Sequence, residues 1–230
     1  MSARENILSK LRQAAATPMP EPDTDAYYRE LSPHWDNETE RLKHWAKAMR
    51  SVKTEIHWVR PDNWTDVLVQ VAAEKGLRNI LLPIQTAHGE QAAAALGFAD
   101  MEFKVFDREI EHWKDEFFNE IDAGFTDVRC GIAHTGTLML WPSEKQPRSQ
   151  SLVPPVHICL FDTSKMYDDF YSAMQGENMA DNMPTNLVLV SGPSKTADIQ
   201  LTLAFGAHGP RDMVVLAVLP PHISPDDLDE

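Results

Sequence analysis

Leu187-Val-Leu-Val-Ser-Gly-Pro-Ser-Lys-Thr-Ala-Asp198 is the stretch that most strongly indicates how this chain folds. Its first four residues are apolar and predict a strand buried on both faces, as strands are in parallel sheets. Ser191-Gly-Pro193 ends that strand, and Ser194 follows at the position of a helix N-cap. We therefore predict a strand, a short polar turn and a helix over residues 196–205.

The predicted turn has the features of an anion-binding site. Its hydroxyls, its main-chain amides and one cation, Lys195, are expected at the positive end of the following helix. The pattern is not a Walker A loop, because Ser194 stands where that loop has a glycine before its lysine. An ordinary strand-to-helix turn with good capping residues is the alternative interpretation.

A second turn, His134-Thr-Gly-Thr137, lies between strands predicted over residues 125–133 and 138–141. Two strands joined so closely must be antiparallel. If strands 125–133 and 187–190 run parallel, their turns share the carboxyl edge of the sheet, where open α/β sheets bind ligands. The predicted site, for an anionic or carboxylate-bearing ligand, consists of Thr135, Gly136, Thr137, Ser191, Gly192, Ser194, Lys195 and Thr196.

Among the histidines, His134 is nearest to this predicted cleft and is the candidate acid or base. A solvated turn residue is the alternative interpretation of His134. The segment Gly206-Ala-His-Gly-Pro-Arg211 is expected at the opposite, amino edge, because it follows a predicted helix that is ~15 Å long. His157 lies in the middle of a predicted strand and is expected to be packed in the core.

The two cysteines, Cys130 and Cys159, lie in apolar runs and are expected to be buried thiols. An iron–sulfur cluster normally takes four thiolates, so none is expected on this chain. No His-Glu-x-x-His or Cys-x-x-Cys spacing appears, and we predict no metal site.

The remainder of the chain predicts an α/β domain. Strand and helix patterns alternate four or five times between residues 37 and 121, which indicates a largely parallel sheet flanked by helices. Residues 1–35 are predicted to form an N-terminal helix and a proline-rich arm. Residues 36–222 form the predicted domain, and residues 223–230 an acidic tail.

Acidic residues outnumber basic residues by 35 to 21, which gives a formal net charge of −14. Such a surface repels phosphate backbones and anionic lipids, so we expect neither nucleic acid nor a membrane surface as a partner. No apolar run has the length of a membrane span, and no signal-peptide core precedes the domain. The composition therefore predicts a cytoplasmic protein.

A set of segments, taken in order, resembles the lactate-utilisation protein C family, whose members contain a LUD domain. The opening residues Ala3-Arg-Glu-Asn-Ile-Leu8 are also similar to the N-terminal helix of that family. The other segments of the set are Gly131-Ile-Ala-His-Thr-Gly-Thr-Leu138, Arg148 with Ser149-Gln-Ser-Leu-Val-Pro-Pro-Val-His-Ile158, Ser191-Gly-Pro-Ser-Lys-Thr-Ala-Asp-Ile199 and Gly206-Ala-His-Gly-Pro-Arg211.

The resemblance implies a fold similar to the ribose-5-phosphate isomerase and CoA-transferase superfamily. It also implies a role in oxidising L-lactate to pyruvate, with the iron–sulfur clusters on partner subunits. Members of the family commonly have an acidic residue where this chain has His134, which leaves the role of this histidine open. The alternative hypothesis is a stand-alone isomerase- or transferase-like enzyme that binds a sugar phosphate or an acyl-CoA.

Overall fold

The computed structural model describes residues 2–14, 19–197, 203–206 and 208–228. Its contacts divide the chain into two units, residues 1–32 and residues 33–230. The first unit contains helices α1 (Ala3–Gln13) and α2 (Thr24–Leu31). The sequence predicted α1 but only an extended arm in place of α2. The arm's prolines flank α2 rather than interrupt it, and Asp23 caps its first turn.

The second unit contains seven of the described helices, and three short 3-10 turns interrupt its loops. The turns cover Ile110–His112, Thr163–Lys165 and Pro225–Asp227. The helices are α3 (Glu38–Ser51), α4 (Trp64–Glu74), α5 (Ala87–Phe98), α6 (Lys114–Asn119), α7 (Arg148–Leu152), α8 (Phe170–Gly176) and α9 (Met179–Asn182).

Twelve strands occur among the described residues, and they form one large sheet, one small sheet and one hairpin. The strands are β1 (Glu55–Val59), β2 (Asn79–Leu82), β3 (Glu102–Val105), β4 (Ala123–Asp127), β5 (Cys130–Ile132), β6 (Thr137–Leu140), β7 (Val156–Asp162), β8 (Met166–Tyr167), β9 (Val188–Val190), β10 (Lys195–Ala197), β11 (Leu203–Phe205) and β12 (Asp212–Val218).

The large sheet has six strands in the order β1-β12-β7-β4-β2-β3, and every neighbouring pair is parallel. One face packs on α4 and α5 through an apolar cluster that includes Leu68 and Phe125. The other face packs on α3 through a cluster that includes Trp45 and Phe161. The central strands are apolar because both of their faces are covered. The predicted α/β class, with a largely parallel sheet flanked by helices, is confirmed.

The small sheet has the order β8-β5-β6-β9 and lies over the α3 face of the large sheet. The prediction of one strand over residues 125–133 is wrong, because Val128 and Arg129 separate β4 from β5. The chain reverses at these two residues, and β5 returns toward the amino edge of the large sheet. There, a Cβ added to Gly136 would lie 2.5 Å from the Ala48 side chain, near the end of α3.

The stretch that follows residue 187 also differs from its prediction. β9 is an edge strand of the small sheet, antiparallel to β6, and the Leu189 side chain is 47% exposed. β10 and β11 pair as an antiparallel hairpin where a helix was predicted. The segment contains Thr196, Ile199 and Thr202, whose β-branched side chains favour strands over helices. Residues 198–202, in the middle of the predicted helix, lie outside the described residues.

The acidic stretch after residue 222 takes part in the core. Ile223 and Leu228 are each only 2% exposed and belong to the α3-side cluster. The Arg60 guanidinium donates hydrogen bonds to the carbonyls of Pro220 and Ile223, at 2.7 and 2.8 Å. Among the described helices, none combines the length and the apolar composition that crossing a membrane requires.

Replacing Ile223 with alanine should lower the free energy of unfolding by about 2–4 kcal/mol, because the substitution leaves a cavity in the core. Urea denaturation followed by tryptophan fluorescence measures this change. Asp226→Ala, at an exposed position of the same segment, should change stability by less than about 0.5 kcal/mol. Equal stability of Ile223→Ala and the parent chain would show that the segment does not pack on the core in solution.

Candidate functional site

The structure brings the two predicted turns together, but at the amino edge of the large sheet. A Cβ added to Gly192 would lie 3.4 Å from the hydroxyl of Thr54, the residue before β1. The Ser194 amide donates a 2.8 Å hydrogen bond to the carbonyl of Pro210, shortly before β12. The turns reach this edge because β5 and β9 run opposite to the strands of the large sheet. The prediction that they lie at the carboxyl edge is therefore wrong.

A chain of hydroxyls connects the two turns. The Thr135 and Thr137 Oγ1 atoms are 2.7 Å apart, and Thr137 Oγ1 is 2.7 Å from Ser191 Oγ. The Thr137 side chain is buried, whereas Thr135 and Ser191 are exposed. Gly136, with φ of +58°, makes the tight turn between these groups.

Not all of the predicted residues join this cluster. Lys195 is exposed on β10, and Thr196 is in the same strand, so no helix N-terminus is present to strengthen an anion site. His134 is exposed, and its carbonyl lies 3.4 Å from Nε2 of His44 on α3. The His134 side chain lines neither of the two cavities described below.

Three of the predicted residues, Ser191, Gly192 and Ser194, line a cavity of about 170 Å³, which we call the amino-edge cavity. His208 lines it too. Its segment lies at the amino edge, as predicted, just before β12, but the turns lie at this edge as well and not opposite to it. The hairpin brings the chain back beside Ser194, whereas the predicted helix would have carried it to the opposite edge. A Cβ added to Gly209 would lie 3.2 Å from the Ser194 side chain.

His157 forms the inner wall of the amino-edge cavity and is 1% exposed. Its Nε2 lies 2.8 Å from Thr126 Oγ1, and the Cys159 Sγ is 3.4 Å away. Burial lowers the pKa of His157 to about 4, so the ring is neutral at pH 7. This histidine therefore adds no positive charge to the amino-edge cavity.

Both cysteines are buried free thiols. Cys130 is buried against Met139, and burial raises its pKa to about 12. Burial also raises the pKa of Cys159. Both groups are therefore protonated thiols at neutral pH. The described residues contain no group of three His, Cys, Asp or Glu side chains placed to hold a metal ion.

A larger cavity, of about 890 Å³, opens at the carboxyl edge of the large sheet, and we call it the carboxyl-edge cavity. Three lining residues belong to the ends of central strands: Asp127 on β4, Asp162 on β7 and Val218 on β12. The Arg60 hydrogen bonds described above hold the loop at Leu219–Pro221, which forms another wall. This position and volume are typical of small-molecule sites in α/β folds.

An acid–base pair lies in the carboxyl-edge cavity. His88, in the first turn of α5, places Nδ1 3.1 Å from Oδ1 of Asp127. The interaction with Asp127 raises the pKa of His88 above its usual value. The Gln146 side chain fixes the main chain of Asp127: Oε1 accepts from its amide at 2.8 Å, and Nε2 donates to its carbonyl at 3.0 Å. Trp64 supports the His88 ring edge-on, with centroids 6.0 Å apart.

Two further cations line the same cavity. Arg129 is paired with Glu177, and its guanidinium lies over the Trp141 ring, 5.0 Å from the centroid. Lys165 is the last residue of a 3-10 turn. At the start of this turn, the amide and the hydroxyl of Ser164 both donate hydrogen bonds to Asp162 Oδ1. Lys165 can offset the charge of an anionic ligand, and His88 can exchange a proton with it.

The sequence reasoning missed the carboxyl-edge cavity because it placed the end of a strand at residue 133 instead of residue 127. With that boundary, Asp127 appeared to lie inside a strand, and Arg129 with it. The available signal was the polar pair Asp127 and Arg129 within an otherwise apolar run. No local pattern indicated that His88 would meet Asp127.

Comparison with known proteins identifies relatives of this chain. The profile of the LUD domain family matches residues 42–218. A protein of Neisseria meningitidis serogroup B, described as uncharacterized, is 63% identical over 100% of this chain and 99% of its own length. The family resemblance found in the sequence is confirmed.

Further relatives carry the name lactate utilization protein C. The one from Macrococcus caseolyticus is 37% identical over 37% of this chain and 38% of its own length. The one from Halalkalibacterium halodurans is 21% identical over 89% of this chain and 91% of its own. A crystal structure of a DUF162 family protein from Deinococcus radiodurans aligns with a TM-score of 0.60 and 18% identity, covering 79% of this chain and 98% of that one. This last similarity supports the fold.

The ionisation of His88 tests the acid–base pair. We expect the pKa of His88 to lie above the usual histidine value and Asp127→Asn to lower it, since the substitution removes the carboxylate. A raised folded-state pKa stabilises the fold at low pH, and this stabilisation is lost as pH rises through that pKa. NMR titration of the imidazole protons measures both values, with His157, neutral down to about pH 4, as an internal reference. An unchanged His88 pKa in Asp127→Asn would rule out the pair.

The contribution of the hydroxyl chain at the amino edge to stability can be measured with two variants. Thr137→Val keeps the shape of the side chain but removes the buried hydroxyl, which should cost about 1–2 kcal/mol of unfolding free energy. Thr135→Val removes the exposed end of the chain and should cost less than about 0.5 kcal/mol. Urea denaturation of both variants measures the difference, and equal costs would contradict a buried hydroxyl chain.

Proposed function

We propose that this chain, which belongs to the LUD-domain family, acts in lactate utilisation as a subunit without redox centres of its own. The similarity to several relatives named lactate utilization protein C is the observation on which this proposal rests. One of these similarities extends over 89% of the chain, which supports a shared role of the whole domain.

In this proposal, partner subunits in the cytoplasm hold the iron–sulfur clusters that take up electrons from L-lactate oxidation. The chemistry of Cys130 and Cys159 supports that division, because both are buried thiols with raised pKa values. If the partner subunits accept the electrons, this chain contributes to the oxidation by binding the substrate, by transferring a proton or by assembling the complex. The carboxyl-edge cavity supports the first two of these tasks.

A stand-alone isomerase- or transferase-like enzyme is the second candidate. The observation that favours it is the volume of the carboxyl-edge cavity, about 890 Å³, which accommodates a ligand as large as a sugar phosphate. Arg129 and Lys165 line it and supply positive charge. The likeness to ribose-5-phosphate isomerase and CoA transferases remains a prediction from the sequence resemblance.

Deletion of the gene and purification of the tagged chain test the proposal together. We expect the deletion strain to lose growth on L-lactate and to keep growth on pyruvate, which lies after the oxidation step. A plasmid copy of the gene should restore growth. From cells grown on L-lactate, the tagged chain should co-purify with cysteine-rich proteins that give a brown eluate, whereas the tag alone should give none.

Each outcome discriminates between the candidates. Normal growth of the deletion strain on L-lactate would contradict a role in lactate utilisation. A colourless, solitary chain from cells grown on L-lactate would contradict the subunit role and favour the stand-alone enzyme. Mass spectrometry and the visible absorption spectrum of the eluate provide the measurement.

A further inference from the structure

We propose that the carboxyl-edge cavity binds a small 2-hydroxy or 2-oxo carboxylate, with Lys165 as the counter-ion of the carboxylate and His88 as the proton donor or acceptor at the C2 oxygen. The inference rests on the proposed function, which makes L-lactate and pyruvate the relevant pair of acids. It assigns substrate binding to this chain rather than to the iron–sulfur partners.

Lys165 is the cation in this cavity that can form an ion pair with a ligand. Arg129 is already paired with Glu177, and His88 with Asp127. No ion pair to Lys165 occurs among the residues that the structure describes. Its turn is anchored at the base, because the buried Thr163 donates a 2.9 Å hydrogen bond to the carbonyl of Val218. Asp162 also lines the cavity, and its carboxylate repels anions. A single unpaired cation beside this carboxylate favours a ligand with one negative charge over a sugar phosphate with two.

His88 suits both oxidation states of such a ligand. Asp127 interacts with Nδ1 of His88, so Nε2 of the ring remains available to the ligand. When the ring is protonated, Nε2 donates a hydrogen bond to the carbonyl oxygen of a 2-oxo acid. When the ring is neutral with its proton on Nδ1, Nε2 accepts one from the hydroxyl of a 2-hydroxy acid. The Asp127 carboxylate, 3.1 Å from Nδ1, favours a proton on that nitrogen.

The charges around His88 come from three elements. Asp127 on β4 raises its pKa, as does the more distant Asp162 at the end of β7, and Lys165 on the following turn lowers it. Trp64 on α4 contributes a ring contact without charge. The interaction with Asp127 therefore favours the protonated ring, which is the form that donates to a carbonyl oxygen. Pyruvate should therefore bind best below that pKa and more weakly above it.

Arg129 and Trp141 line the cavity as well. A three-carbon acid has six heavy atoms, about as many as benzene, which fills an engineered cavity of roughly 150 Å³. The carboxyl-edge cavity, at about 890 Å³, is much larger. The acid thus occupies the part lined by His88 and Lys165, and the rest stays open to a second group.

Titration calorimetry of the purified full-length chain with sodium pyruvate, L-lactate and propionate tests the inference. Propionate has the carboxylate but no oxygen at C2. We expect saturable binding with dissociation constants on the order of millimolar, and tighter binding of pyruvate and L-lactate than of propionate. Lys165→Met should weaken all three acids about tenfold or more, because it removes a charged partner. Lys165→Arg should restore most of that loss.

His88→Phe should remove the preference for pyruvate over propionate and abolish the pH dependence of pyruvate binding. Phenylalanine keeps the ring contact with Trp64, so folding is preserved. His112→Gln, at an exposed histidine in another part of the chain, is the matched control and should bind all three acids normally.

The inference is overturned if the parent chain shows no saturable binding of either acid, or if His134→Gln rather than His88→Phe removes the preference. Its failure is distinguishable from failure of the proposed function. A chain that binds neither acid, in an organism that still needs the gene for growth on L-lactate, would keep the subunit role and assign the substrate to a partner. Normal growth of the deletion strain would instead contradict the function itself.

Discussion

The reversal of the chain at Val128 and Arg129 positions both cavities. The Val128 amide donates to the Leu160 carbonyl on β7, at 2.9 Å, and the Arg129 amide donates to the Met139 carbonyl on β6, at 2.8 Å. One bond joins the reversal to the large sheet and the other to the small sheet. Asp127 consequently stays at the carboxyl edge, while the turn after β5 reaches the amino edge.

Close packing between the large and the small sheet stabilises this path of the chain. A Cβ added to Gly131 on β5 would lie 2.6 Å from the Phe161 ring and 2.8 Å from the Met166 sulfur. The absence of a side chain at Gly131 therefore lets the small sheet approach the large one. Gln150 packs against the opposite end of β4 and donates to the carbonyls of Phe125 and Leu81, at 2.7 and 3.3 Å. These contacts fix the strand that ends at Asp127.

The electrostatics of the carboxyl-edge cavity differ from those of the whole chain. The net charge of −14 repels anions at long range, but this repulsion is screened by salt within about 10 Å. Inside the cavity, the charges of Asp127 and Glu177 are each balanced by a neighbouring cation, and Asp162 lines the cavity on the turn that carries Lys165. An anion that enters meets the field of Lys165 at short range. Local pairing, rather than net charge, governs what this site can hold.

The sequence by itself determined the alternation of helices and strands, because periodicity and capping are local properties. The alternation predicted between residues 37 and 121 is present as α3, β1, α4, β2, α5, β3 and α6. Five short segments of sequence were also enough to identify the family. Tertiary structure alone decided the direction of β5 and β9, the hairpin in place of a helix after Ser194, and the meeting of His88 with Asp127. These features depend on hydrogen bonds and packing between segments far apart in the chain, and no local pattern specifies which segments pair.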